Sequence, residues 1–115
     1  MTTAVIQTHA PDAASSWHGQ DALLSLASLD LNPQLILMNE ALYHLLHGAD
    51  VQRHQRSLQK RYRLLELYEC PAPWVLAADL QRYGLVVDDL VMAVEVLDAE
   101  ALQQRLSDCH KVLRF

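Results

Sequence analysis

The chain is short of the residues that mark several protein classes, and each shortage removes a class. Two cysteines in 115 residues, Cys70 and Cys109, are too few for a disulfide framework, so both read as free thiols. Three glycines and four prolines, set against 51% hydrophobic residues, exclude a disordered or low-complexity chain. Nine basic residues against fourteen acidic ones leave a net charge of −5. The broad positive surface that nucleic acid requires is therefore missing, and no direct nucleic-acid partner is expected. No segment approaches the ~20 apolar residues of a membrane-spanning helix. The first residues carry neither a basic head nor a long apolar run. Together these absences lead to the expectation of a cytoplasmic protein with no membrane partner.

What is present is an alternation of short apolar runs and helix-like stretches. Residues 3–8 (TAVIQT) are β-branched and read as a strand. Residues 9–20 (HAPDAASSWHGQ) hold Pro11, Asp12, Ser15, Ser16 and Gly19, which is turn chemistry. A helix is predicted over residues 21–29, with Leu23, Leu26 and Ala27 on one face and Asn32-Pro33 as its stop. Residues 34–39 (QLILMN) form an apolar run without alternation, the mark of a strand covered on both faces. Residues 40–48 read as a short helix closed by Gly48.

The clearest helical pattern is residues 56–69 (RSLQKRYRLLELYE). Leu58, Tyr62 and Leu65 form its apolar face, Leu67 and Tyr68 extend it, and Pro71 and Pro73 stop it. A strand at 74–77 (WVLA) leads into a short helix ending at Gly84, followed by a strand at 90–96. Asp98 is placed to cap a helix over 99–108, and residues 111–115 (KVLRF) close the pattern as an apolar strand, buried in the sheet or against a partner. Strands alternating with helices predict one α/β domain over residues 1–115, with a mostly parallel sheet and helices on both faces.

The candidate reactive residues are few. Past the carboxyl end of the WVLA strand, where open α/β sheets place their chemistry, stand Leu76, Ala77 and Ala78. Cys70 lies before that strand, with Glu66 and Glu69 near it and the carboxyl pole of a helix behind it. Both influences oppose a thiolate, so a structural thiol is the first reading and a persulfide carrier the second. Cys109 and His110, adjacent on a strand, point to opposite faces and form no dyad. His44, His47 and His54 lack a third or fourth ligand at a metal-site spacing, and read as polar residues at a helix edge or subunit contact. His9 and His18 flank a first loop holding Asp12, Ser15 and Ser16, which reads as solvated. No metal or cofactor is expected.

Arg53, Arg56, Lys60 and Arg63 recur at three- and four-residue spacing, which predicts one helical stripe: either a solvated face or a docking stripe for an acidic partner. Trp17, Trp74 and Tyr83 are candidates for the core or for interface anchors.

Five segments, in order, resemble the DsrE/DsrF-like family and within it the TusC/DsrF-type subunits. They are residues 8–11 (THAP), 19–24 (GQDALL), 61–69 (RYRLLELYE), 75–85 (VLAADLQRYGL) and 112–115 (VLRF). The chain departs from the family pattern at Asp12 and His18. The resemblance implies a mostly parallel sheet of about five strands. It also implies a place in a sulfur-relay heterohexamer with TusB/DsrH-like and TusD/DsrE-like sister subunits, and a downstream sulfur carrier of the TusE/DsrC type. Such complexes pass persulfide sulfur toward tRNA 2-thiouridine synthesis or sulfur oxidation. The sulfur-carrying cysteine belongs to the TusD/DsrE-like subunit, and its position, eight residues before Gly84, falls here on Leu76. Leucine forms no thiolate, so the resemblance implies a non-catalytic subunit. The alternatives are a sulfurtransferase working through Cys70 and a stand-alone homo-oligomeric interaction protein.

Overall fold

In a computed structural model describing residues 2–115, the chain runs β1 (Thr3–Gln7), α1 (Ala14–Ser28), β2 (Gln34–Leu37) and a 3-10 helix (Asn39–Leu45). A small ribbon, β3 (Gln52–Arg53) and β4 (Arg56–Ser57), leads into α2 (Leu58–Tyr62) and α3 (Leu64–Leu67). Then follow β5 (Trp74–Leu76), α4 (Ala77–Arg82), a 3-10 turn (Val87–Asp89), β6 (Glu95–Leu97), α5 (Ala99–Ser107) and β7 (Lys111–Arg114). Five strands pair in the order β6-β5-β2-β1-β7, every pair parallel.

The order fixes which face each helix covers. From β1 through β2 and β5 to β6 the chain always steps the same way, so right-handed crossovers put every connection on one face. The step back from β6 to β7 sends α5 to the other. Packing agrees: Val5, Leu35, Leu37 and Val75 pack with Trp17, Leu23 and Tyr62 on the first face. Ala4, Ile6, Ile36 and Leu97 meet Leu102 of α5 on the second. Because β1 and β2 lie inside the sheet with cover on both sides, Ala4–Gln7 and Gln34–Leu37 are wholly buried, which is why these runs lack polar alternation. The helices do lie on both faces, but unequally, with nine-residue α5 the one helix on its side among the described residues.

Several boundaries moved. Helix α1 begins at Ala14, inside the stretch read as a turn, because Ser16 folds its hydroxyl back to the Ala10 carbonyl (2.7 Å) and leaves the polar run free to wind. The stretch 56–69 is not one helix: Arg56–Ser57 is ribbon, Ser57 caps α2 by accepting from the Lys60 N–H (3.1 Å), and the helix breaks at Arg63. Leu58, Tyr62 and Leu65 are buried as expected, but Leu67 is 72% exposed and Tyr68 40%. The strand expected at 90–96 is confined to Glu95–Leu97. Strand β7 is a sheet edge with Val112 exposed, so its apolar residues are only partly covered, with Leu113 and Phe115 half-buried. Asp98 caps α5 as expected, accepting from the Ala101 N–H at 2.7 Å.

The ends of α1, α3 and α4 share one device. The Cys70 N–H reaches the Leu65 carbonyl and the Glu69 N–H reaches Glu66, with Glu69 at φ +59; Leu85, Gly84 and Leu80 repeat the pattern, as do Leu31, Asp30 and Leu26. These are Schellman closures, two of them with an acidic residue where glycine is favoured.

Gly19 sets the approach of α1 to β1. A Cβ there would stand 2.6 Å from the Gln7 side-chain amide, which is itself buried and bonded to the Ser16 carbonyl at 2.9 Å. Gly19→Ala gains about 1 kcal/mol of helix propensity but forces this amide aside at about 1–3 kcal/mol. The expected net effect is a loss of about 1 kcal/mol in urea unfolding; an unchanged or raised midpoint would contradict the close approach.

Candidate functional site

The carboxyl edge of the sheet at β5 carries no reactive side chain. Leu76 ends the strand and starts α4 directly, in extended conformation (φ −89, ψ 133), with Ala77 and Ala78 exposed behind it. The first polar group is Asp79, which is buried and turned inward to accept the Asn39 N–H at 2.9 Å. That bond ties the ends of β2 and β5 together, with Asn39 at φ +54. The carboxylate is committed to structure.

Both thiols lie at the opposite edge. Cys70 precedes β5 and Cys109 precedes β7, so each sits at the amino end of its strand. Burial pushes the Cys70 thiol up from its ordinary value. Burial, then the Asp108 carboxylate, does the same to Cys109, whose Sγ–H donates to the Arg105 carbonyl at 3.4 Å. Cys109 and His110 precede the strand instead of lying on it: the His110 N–H donates to the Thr2 carbonyl at 2.8 Å. Among the described residues, no cation lowers the pKa of either thiol, as one does for nucleophilic cysteines.

The histidines part company. His44 is not at a helix edge but fully buried, with Nε2 donating to the His9 carbonyl (2.8 Å) and lying 3.1 Å from Ser16 Oγ. A carbonyl only accepts, so Nε2 carries the proton and Nδ1 accepts from the Tyr62 hydroxyl at 2.7 Å. Burial lowers the His44 pKa to about 4, opposed in part by the bond to His9. Burial drives the Tyr62 phenol well above its ordinary value, against the bond from Gln7 and the nearby Arg61. His47, His54, His9 and His18 are exposed. No group of three metal-ligating side chains forms among the described residues. Ser16, expected in a solvated loop, belongs to this core network with Gln7, and buried Gln20 one turn on donates to the Leu58 carbonyl. Sequence reasoning missed the network; its one signal was the polar pair Ser16 and Gln20, four apart, facing the core of α1.

The basic residues do not form a helical stripe. Arg53 and Arg56 face each other across the β3–β4 ribbon, Lys60 lies on α2 and Arg63 marks the break before α3. Arg53 and Arg56 are joined in one groove by Arg61, which the sequence reading left out, and by Trp17, His18, Asp21 and His54. Trp17 is core. Trp74 is half-buried with the Arg105 guanidinium 5.2 Å over its ring, and Tyr83 is half-buried, edge-on to Tyr43 at 5.4 Å.

An open, all-parallel α/β sheet with Leu76, Ala77 and Ala78 at the carboxyl end of β5 is therefore the class this chain defines. The DsrE/DsrF-like family model matches residues 1–115, and the chain belongs to that family. It is 30% identical to the TusC homolog of Vibrio vulnificus (strain CMCP6) over 117 aligned positions, covering 98% of this chain and 97% of the relative. It is 31% identical to the TusC protein of Escherichia coli O127:H6 (strain E2348/69 / EPEC) over 102 positions, covering 84% and 83%. The crystal structure of the ychN protein from E. coli superposes with a TM-score of 0.85 over 100% of this chain and 99% of that one, at 20% identity, which establishes the shared fold.

A buried neutral His44 makes stability depend on pH. Its folded pKa lies below its unfolded value of 6.5, so the unfolded chain binds the extra proton between them. The stabilisation is complete above pH 6.5 and is lost as pH falls toward 4, by about 3 kcal/mol. Urea unfolding at stepped pH should show this loss, with a shallower slope in the same window for His44→Gln. Equal slopes would mean that His44 titrates alike in both states.

Proposed function

We propose that the chain is a non-catalytic subunit of a cytoplasmic sulfur-relay heterohexamer, pairing with TusD/DsrE-like and TusB/DsrH-like sisters and serving a downstream carrier of the TusE/DsrC type. The observation that carries the reading is the placement of sulfur chemistry. Sites in open α/β sheets gather at the carboxyl ends of strands. Here that edge holds Leu76, the position that the family resemblance equates with the TusD/DsrE-like cysteine, while both thiols sit at the amino edge with raised pKa values. The role left to the chain is assembly and shaping of the surface around a sister's persulfide.

The surface suits that role. Leu64, Leu67 and Tyr68 of the α3 region and the neighbouring pair Val86 and Val87 are exposed, and apolar groups so clustered along a chain favour burial against partners. Half-buried Trp74 and Tyr83 suit the anchoring of such contacts, and the exposed Lys60 and Arg63 suit the attraction of an acidic neighbour.

The test is co-expression with the two sister subunits, followed by the mass of the purified complex and the location of persulfide. One assembly containing all three chains, with persulfide on the TusD/DsrE-like cysteine and undiminished sulfur transfer after Cys70→Ser, is expected. Self-assembly of this chain to the exclusion of its sisters would defeat the relay reading.

A further inference from the structure

The N-terminal half of α1, the β3–β4 ribbon and α2 enclose a groove of about 370 Å³, lined by Trp17, His18 and Asp21, by Arg53, His54 and Arg56, and by Arg61. That is the lower part of the range occupied by small-molecule sites. Its charge runs against the rest of the molecule. Three of nine basic side chains and one of fourteen acidic ones line it, in a chain of net charge −5.

The ribbon is built at a disadvantage. Arg53 and Arg56 are register partners, and like charges directly opposite one another weaken strand pairing. With two residues per strand there is little pairing to offset this. The turn between them holds His54 at φ +52 and Gln55 at φ +65, left-handed conformations adopted without glycine. Neither arginine has an ion-pair partner among the described residues. Arg61 is different: it pairs with Asp21 and lies 5.8 Å over the Trp17 ring, a fixed wall to the groove.

We infer that this groove binds a phosphate-type polyanion between Arg53 and Arg56, with Arg61 as its third cationic wall. An anion between the two unpaired guanidiniums removes the repulsion that the ribbon otherwise carries. Asp21 shows what one carboxylate achieves here, the neutralisation of one arginine. Two remain, which calls for a ligand with at least two charges and oxygens set for the guanidinium fork. Lys60 and Arg63 lie outside the lining. The charge is gathered in a recess instead of spread along a face, which favours a small phosphorylated ligand over an acidic protein surface. The inference does not rest on the relay role.

Calorimetric titration of the full chain with inorganic pyrophosphate, with ADP and with a hexaglutamate peptide tests it. Saturable one-to-one binding of pyrophosphate is expected, along with a rise in the thermal midpoint. In Arg53→Ala/Arg56→Ala the affinity should fall by roughly tenfold or more and the pyrophosphate-induced midpoint rise should vanish, while the ligand-free far-UV spectrum is unchanged. Tighter binding of ADP than of pyrophosphate would assign the phosphate to an organic molecule, and the reverse to the free anion; both support the site. No saturable binding, equal affinity in the double variant, or hexaglutamate binding as tightly as pyrophosphate would overturn it.

Discussion

The hydrogen bond from the Tyr62 hydroxyl to His44 Nδ1, 2.7 Å long, holds together parts of the chain that share no backbone pairing. Through the other ring nitrogen it reaches the His9 carbonyl and Ser16, and through Gln7 it reaches β1. The loop after β1, the first turns of α1, the 3-10 helix and α2 are thereby fixed to one another in the interior of the first face. A buried polar group without partners is costly, so His44, Tyr62 and Ser16 require one another, while Gln7 joins through its amide nitrogen alone. Gly19 is part of the same constraint, because the Gln7 amide occupies the space a Cβ would take. The α1–β1 spacing, the position of α2 and hence the placement of the ribbon above it all follow.

Around that fixed interior the sheet is asymmetric, and the asymmetry has functional weight. One face is covered by the connections from β1 to β6 and the other by α5. The carboxyl edge at β5 presents Leu76, Ala77 and Ala78, and its nearest carboxylate, Asp79, braces the backbone of Asn39. The amino edge holds the two thiols, which burial pushes above their ordinary value. The strand-to-helix junction at Leu76 is thus built from apolar side chains, with its one nearby carboxylate committed to the backbone.

Much of this was legible in the sequence, and the failures have physical causes. The unalternating runs at 3–8 and 34–39 marked the central strands, because burial on both faces leaves no polar position to alternate. Asp98 marked its helix because a side-chain cap is local chemistry. The turn residues of 9–20 misled because Ser16 and Gln20 serve tertiary bonds, so their polarity reported the core and not a loop. The run 56–69 misled because its apolar spacing is helical throughout, while the Asp50 carboxylate, bonded to the Ser57 hydroxyl and the Gln59 N–H, pins the start as ribbon and cap. His44 looked like a surface residue because a 3-10 helix turns its face differently from the α-helix assumed. Leu76 was placed at its strand end by family pattern; the basic groove was not foreseen, since Arg61 and Asp21 meet only in the fold.

The central claim is that this chain carries no sulfur itself. The most direct test is to incubate the isolated protein with a cysteine desulfurase and its substrate, alkylate, and locate persulfide by peptide mass spectrometry. The account predicts that Cys70 and Cys109 stay unlabelled at neutral pH, since burial pushes both thiols above their ordinary value. Stoichiometric persulfide on Cys70 would contradict it and make the amino edge of the sheet the working site.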